Sequence, residues 1–401
     1  MNTRKLLACA ATVAGLALCA SAAQAQKKYD SGATDTEIKI GQTMPYSGPA
    51  SAYGTIGRSE AAYFKKINDE GGINGRKIQL ISLDDGYSPP KTVEMTRRLV
   101  EQEEVLFLFQ PLGTAPNSAI HKYMNAKKVP QLFVASGATK WGDPKNFPWT
   151  MGWQPSYQSE AKIYAKDILA HHPDAKVAVL YQNDDYGKDL LKGLKDGLGA
   201  KASMIVMAAS YEVSDPSIDS QIVSLKGSGA DVLVDITTPK FAALAIRKVH
   251  DIGWKPVHYL NNVSLSIGAV LTPAGLDKSV GLITVAYLKD ATDAQWENDP
   301  AMNEYRAFLK KYYPEANPAD SSNVYGYSAA QTLVQVLKQC GNDLTRANVM
   351  KQAASLKNLQ LPLARPGITI NTGPDDFFPF EALQLQRFDG KHWVPFGSVI
   401  E

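Results

Sequence analysis

Short apolar runs alternate with stretches of helical period along most of this chain, and that alternation limits its folding choices more than any other feature. "VLFLF" (105–109), "QLFVA" (131–135), "KVAVLYQ" (176–182) and "DVLVDI" (231–236) are nearly continuous in apolar residues rather than apolar at every second one. A strand that is apolar on both faces is buried on both faces, as parallel strands covered by helices are. Between the runs stand "PKTVEMTRRLVEQE" (90–103), with proline in its first turn, "APNSAIHKYMNAKK" (115–128), "YQSEAKIYAKDILAHH" (157–172) and "PKFAALAIRKVHDIG" (239–253). This order predicts doubly wound α/β layers. Two more helices are expected near 300–313 and 322–339, and the turn Phe388-Asp389-Gly390-Lys391 predicts a hairpin. The stretch 136–157, rich in Gly, Pro and Trp, has neither period and marks a boundary.

The first 25 residues have a basic start (Arg4, Lys5), an apolar middle and Ala23-Gln24-Ala25 at the end. This is the pattern of a secretory signal peptide cut after Ala25, so export to the periplasm is expected. Cys19 follows the bulky Leu18, and Cys9 has too short an apolar stretch before it, so ordinary cleavage is favoured over a lipid anchor. Without Arg4 and Lys5, Lys+Arg equals Asp+Glu, and a neutral surface argues against nucleic acid. Cys340 is then the one cysteine left. The roughly 375 residues that remain are enough for two domains without disulfides.

In open α/β sheets ligands sit beyond the carboxyl ends of the strands. The loops there are dominated by Ser, Thr, Asn, Gly and Tyr, with Asp184, Asp185, Lys140 and Lys240 as the charges. "PYSGPASAYGTIG" (45–57) follows a strand and opens a helix, yet it has neither G-x-G-x-x-G nor a closing Lys-Ser pair. Its hydroxyls, backbone N–H groups and two tyrosines suit a carboxylate beside an apolar body. A helix start capped by Ser51 accounts for it equally well. Asp84-Asp85 either seats a cation or caps the turn "DDGYSPP". No H-E-x-x-H, G-x-S-x-G or cysteine pair occurs, so an exported hydrolase is the lesser reading.

"IKIGQTMPYSGPASAYG", "AAYFKKINDEGGINGRKIQLISLDD", "NDDYGKDLLKGLKDGL", "NNVSLS" and "YGYSAAQTL" together resemble the periplasmic solute-binding proteins of ABC importers, in the leucine/isoleucine/valine-binding branch. The resemblance implies a type I periplasmic binding protein, α/β, with two doubly wound lobes joined by a three-stranded hinge. The lobes would be discontinuous, 37–155 plus 285–355 and 156–284 plus 356–401. It implies a monomer without catalysis or cofactor, carrying a small carboxylate to a membrane permease and ATPase. A sensory module serving a membrane receptor is the alternative. The positions carried over as ligand-binding are Tyr53, Gly113, Thr114, Ser136, Ala138, Tyr186, Thr238, Asn262 and Tyr327. Amino-acid binders of the branch hold the ligand ammonium with acids where this chain has Asn262 and Gln154, and Thr238 stands in place of a tyrosine. Asp184 or Asp185 is a substitute for the missing acid. Tyr46 and the crossover aromatics Trp141, Phe147, Trp149, Trp153 and Tyr157 are candidates for the cleft or for packing the hinge.

Overall fold

The computed structural model describes residues 27–400, so the N-terminal segment and its cleavage site lie outside the described residues. Five parallel strands form one sheet, in the order Lys77–Asp84, Glu37–Met44, Leu108–Phe109, Gln131–Val134, Thr150–Gly152. A second sheet of seven strands runs Trp393–Ile400, Leu383–Phe388, Ile283–Ala286, Val257–Leu260, Val232–Ile236, Val177–Gln182, Ile205–Tyr211. Its last five members are parallel, and the C-terminal hairpin adds two antiparallel strands at one edge. Val232–Ile236 is buried at every residue, as its unbroken apolar run requires.

Helices cover both sheets. Asp185–Leu198 begins where the Asp184 side chain accepts from the N–H groups of Tyr186 and Gly187. It buries Leu190, Leu191, Leu194 and Leu198, a stripe at helical spacing. Gly54–Asp69 packs against Ser322–Cys340 and Pro300–Tyr312, so two helices late in sequence belong with the first sheet. The "GGINGRKI" stretch is a tight turn in which the N–H of Ile73 donates to Arg76 O and that of Arg76 to Ile73 O, at 2.8 and 2.9 Å. Gly72 has φ +75°, and a Cβ there would lie 2.1 Å from Arg76 O, so only glycine fits.

The chain crosses between the sheets three times, after Thr150–Gly152, after Ile283–Ala286 and before Leu383–Phe388. Segment 356–380 lies with the first lobe: Thr372 Oγ1 donates to Ala353 O at 2.6 Å, and Ala364 bridges to Leu288. In place of crossings at 285 and 356 we therefore propose crossings near 287 and 382. The two lobes touch on both sides of the cleft. Lys140 Nζ meets Asp185 Oδ2 at 2.5 Å and Thr139 N donates to Asp189 Oδ2 at 2.7 Å. Opposite them, Gly268 N donates to Ala319 O at 2.7 Å and Ser266 Oγ to Asp320 Oδ1 at 2.9 Å.

Candidate ligand-binding cleft

Between the lobes lies a cavity of about 100 Å³. Its wall is built at the starts of six helices. Tyr53 precedes Gly54–Asp69, Gly113 and Thr114 open Thr114–Lys127, and Tyr157 opens Tyr157–His171. Tyr186 lies in the first turn of Asp185–Leu198, Thr238 precedes Pro239–Asp251, and Ser321 and Ser322 begin Ser322–Cys340. Each helix start carries the positive end of a dipole, although the first N–H groups of Asp185–Leu198 and Ser322–Cys340 are already capped by Asp184 and Asp320. Six of them around one small cavity favour an anionic group, although Lys289 is the one cation in the wall and it is already paired with Asp299 at 2.7 Å.

The aromatic content is high: Tyr53, Tyr87, Tyr157, Tyr186, Tyr287 and Tyr325 all line the cavity. Burial holds the hydroxyl protons of all six more tightly than usual, so each stays a hydrogen-bond donor at any physiological pH. Tyr157 and Tyr186 meet edge to face with ring centres 5.2 Å apart. Tyr53 spans the cleft, donating to Val263 O at 3.1 Å, and Tyr325 donates to Gln154 Oε1 at 3.2 Å.

Of the positions expected from the resemblance, Tyr53, Gly113, Thr114, Tyr186, Thr238 and Asn262 line the cavity, as does Gln154. Ser136 stands one layer behind. Its Oγ shares a 2.6 Å hydrogen bond with Thr114 Oγ1 and accepts from Trp141 Nε1 at 2.9 Å and Ala138 N at 3.2 Å. Ser136 and Ala138 thus fix Thr114 and are not in the wall. Tyr327 is placed elsewhere, 2% exposed in the core against Tyr63, Tyr305 and Phe308. Helical residues two apart point to nearly opposite sides, so it is Tyr325 that faces the cavity.

Both proposed acidic substitutes are engaged outside the cavity. Asp184 Oδ1 caps its helix while Oδ2 accepts from Gln182 Nε2 at 2.7 Å, and Asp185 is paired with Lys140. Glu160 is buried directly behind Asn262, where its Oε1 accepts from Asn262 N at 2.6 Å and Tyr164 OH at 2.8 Å. Burial pushes its carboxyl up to about 7, against the pull of the Asn262 N–H. Tyr46 turns away from the cavity, with its OH on Ser82 Oγ at 2.7 Å and Arg58 over its ring. Ser51 makes no capping bond; Asp84 holds the loop instead, accepting from Tyr46 N, Ser47 N and Ser47 Oγ. Asp85 accepts from Tyr87 N and Thr92 Oγ1. Neither aspartate of the pair is left open for a cation. Trp141 and Trp153 are core residues, and Tyr157 is the crossover aromatic that reaches the cavity.

Tyr87, Tyr287, Asp290 and Tyr325 were not singled out from sequence. The strand-end rule points to the first three. Tyr87 follows the strand ending at Asp84, and Tyr287 and Asp290 follow the one ending at Ala286.

Gly113 is the tightest position in the wall. Its φ of +96° with ψ of 148° lies in a region that other residues avoid, and a Cβ would fall 2.4 Å from the Tyr87 ring. Strain there costs about 1–3 kcal/mol, so Gly113→Ala is expected to weaken ligand binding roughly ten- to a hundredfold as Tyr87 and Thr114 shift. Unchanged affinity by calorimetry would show that neither group touches the ligand.

Two doubly wound lobes closed over a cavity walled by helix starts define a two-lobed, cleft-closing binding protein. The chain belongs to the periplasmic binding protein family, whose model matches residues 37–390. It is 25% identical over 335 residues to Leu/Ile/Val-binding protein homolog 7 of Brucella suis biovar 1 (strain 1330), covering 81% of this chain and 82% of the relative. Homolog 1 of the same organism is 24% identical, over 82% and 86% of the two chains. A fatty acid ABC transporter substrate-binding protein from Thermomonospora curvata shares the fold at a TM-score of 0.81, with 22% identity over 94% and 95% of the chains. A branched chain amino acid ABC transporter protein from Thermus thermophilus, solved with bound valine, gives 0.82 and 16% identity over 92% and 97%. The family is extracytoplasmic and binds solutes rather than transforming them. No helix of the described residues is long and apolar enough to cross a membrane.

Proposed function

We propose that this protein is the periplasmic binding component of an ABC importer, carrying a small carboxylate with a flat apolar body to a membrane permease. The observation that carries this reading is the cavity itself, where six helices turn their positive ends toward an anion and six tyrosines offer faces and edges to an apolar body. Aromatic or branched organic acids without an amino group fit it best, because Asn262 and Gln154 occupy the wall where amino-acid binders have acids. Thr114, held by Ser136, and the N–H groups of the helix it opens are assigned to the anion. The transport reading is supported by the family, which binds solutes rather than transforming them.

The lobes are shut in this structure, held by the contacts of Lys140, Thr139, Gly268 and Ser266 across the cleft. Those are few, and the one ion pair among them, Lys140 with Asp185, is solvent-exposed, so the ligand-free protein is expected to populate an open form. Small-angle scattering tests this directly. After a thermal-shift screen of amino acids and organic acids, the best compound should shrink the radius of gyration to the value calculated for the shut form. An identical radius with and without saturating ligand, or chemical conversion of the ligand, would remove the transport reading.

A further inference from the structure

Gly268 is a glycine for which its own lobe gives no reason. It lies in the helical turn Ile267–Leu271, and its φ is outside the left-handed region. Alanine suits such a turn better, because glycine loses more chain entropy on being fixed there. A Cβ at this position would have as its three nearest atoms Asn317 Nδ2 at 2.7 Å, the carbonyl carbon of Ala319 at 2.8 Å and Asp320 N at 2.9 Å. All three belong to the other lobe. No other glycine among the described residues has its three nearest atoms in the opposite lobe.

The loop that faces Gly268 is held in place. Ala319 N donates to Asn317 Oδ1 at 3.0 Å, Asp320 N to Asn317 O at 3.0 Å, and Asn323 Nδ2 to Asn317 O at 2.9 Å. Asp320 Oδ1 accepts from Ser322 N at 3.0 Å, and Ser266 Oγ reaches the same oxygen from across the cleft. Backbone fixed in this way does not give way to an added methyl group. Both halves of the contact run directly into the cavity wall. Asn262, Val263 and Leu265 line the cavity just before Ser266, and Ser321 and Ser322 line it just after Asp320. A ligand that fixes these wall segments brings 266–268 and 317–320 together with them.

We propose that 266–268 and 317–320 form a latch across the cleft, and that Gly268 sets how far the lobes close. A larger side chain there wedges them apart while leaving each lobe intact. This rests on the cleft-closing reading above and holds for whichever ligand closes the cleft.

The test traps the shut form with a disulfide on the opposite rim, in the full exported chain and without ligand. Thr139 Oγ1 and Asp189 Oδ2 are 2.9 Å apart across the cleft, and both residues are replaced, by Thr139→Cys and Asp189→Cys. A disulfide joins the pair only while the rims meet, since it needs Cβ atoms about 4 Å apart. Cys340 is buried and does not compete. Under one fixed oxidant, cross-linking should be about tenfold or more slower with Gly268→Ala, and slower again with Gly268→Leu. The urea midpoint of Gly268→Ala alone should stay level or rise. Equal cross-linking rates with all three residues at 268 overturn the latch and leave the cleft-closing reading standing. A fall in the Gly268→Ala midpoint shows that glycine serves the fold of its own lobe, and overturns the latch as well. No cross-link even with Gly268 in place means that the rims do not meet, and overturns both.

Discussion

Trp153→Ala is expected to destabilise the protein by about 3–5 kcal/mol, as truncations of fully buried tryptophans do. Trp153 is 0% exposed and lies on the first crossing between lobes. Its ring packs edge-on against Tyr287 of the second crossing at 6.1 Å and Phe380, just before the third, at 5.1 Å. It also meets Tyr325 at 4.8 Å, and its Nε1 donates to Thr332 Oγ1 at 3.1 Å in the same helix. One side chain thus ties all three crossings to the helix that presents Tyr325 to the cavity. Its loss leaves a cavity and two cleft tyrosines without support. The midpoint of urea unfolding should fall with little change in slope, and ligand affinity should fall with it. A loss below about 1 kcal/mol would mean that the hinge closes up around the gap and that Trp153 does not organise it.

Much of the fold was legible because its signals are local. The continuous apolar runs became buried strands, and the Asp184 cap and the Phe388–Lys391 turn stand where residue chemistry puts them. Crossing points were less legible, since a parallel strand such as Ile283–Ala286 reads the same in either sheet. The cavity wall was partly legible for a related reason. Tyr53, Gly113, Thr114, Tyr186, Thr238 and Asn262 sit at strand ends or helix starts, which a topological rule locates. Choosing Tyr325 over Tyr327 requires the rotation of a helix whose buried residues extend around most of its circumference, and "YGYSAAQTL" has no polar face to fix it. Asp290 escaped notice because an isolated Asp in a loop is ordinarily a turn former.

Leucine and valine are expected to bind at millimolar concentrations or worse, about a thousandfold more weakly than the best aromatic acid. The argument is electrostatic. An α-ammonium lies one carbon from its carboxylate, so it must sit among the groups near the helix starts. Those groups are Thr114, Thr238, Asn262 and tyrosines, all neutral. Glu160 is the acid directly behind Asn262, but its Oε1 is spent on Asn262 N and Tyr164 OH behind the wall. Asp184 and Asp185 are committed to a helix cap and to Lys140. The positive helix ends that favour a carboxylate oppose a cation placed beside it. A buried ammonium without an anionic partner costs several kcal/mol, and about 4 kcal/mol separates a micromolar site from a millimolar one. Relatives of this chain are named for leucine, isoleucine and valine, so the experiment discriminates sharply. Calorimetric titration of leucine and valine against benzoate and 3-phenylpropenoate measures the ratio in one series. Introducing the acid by Asn262→Asp should narrow the gap by raising affinity for the amino acids and lowering it for the organic acids. Micromolar binding of leucine to the unmodified protein, with no heat from either aromatic acid, would mean that an acid reaches the ammonium after all and would return the cleft to amino acids.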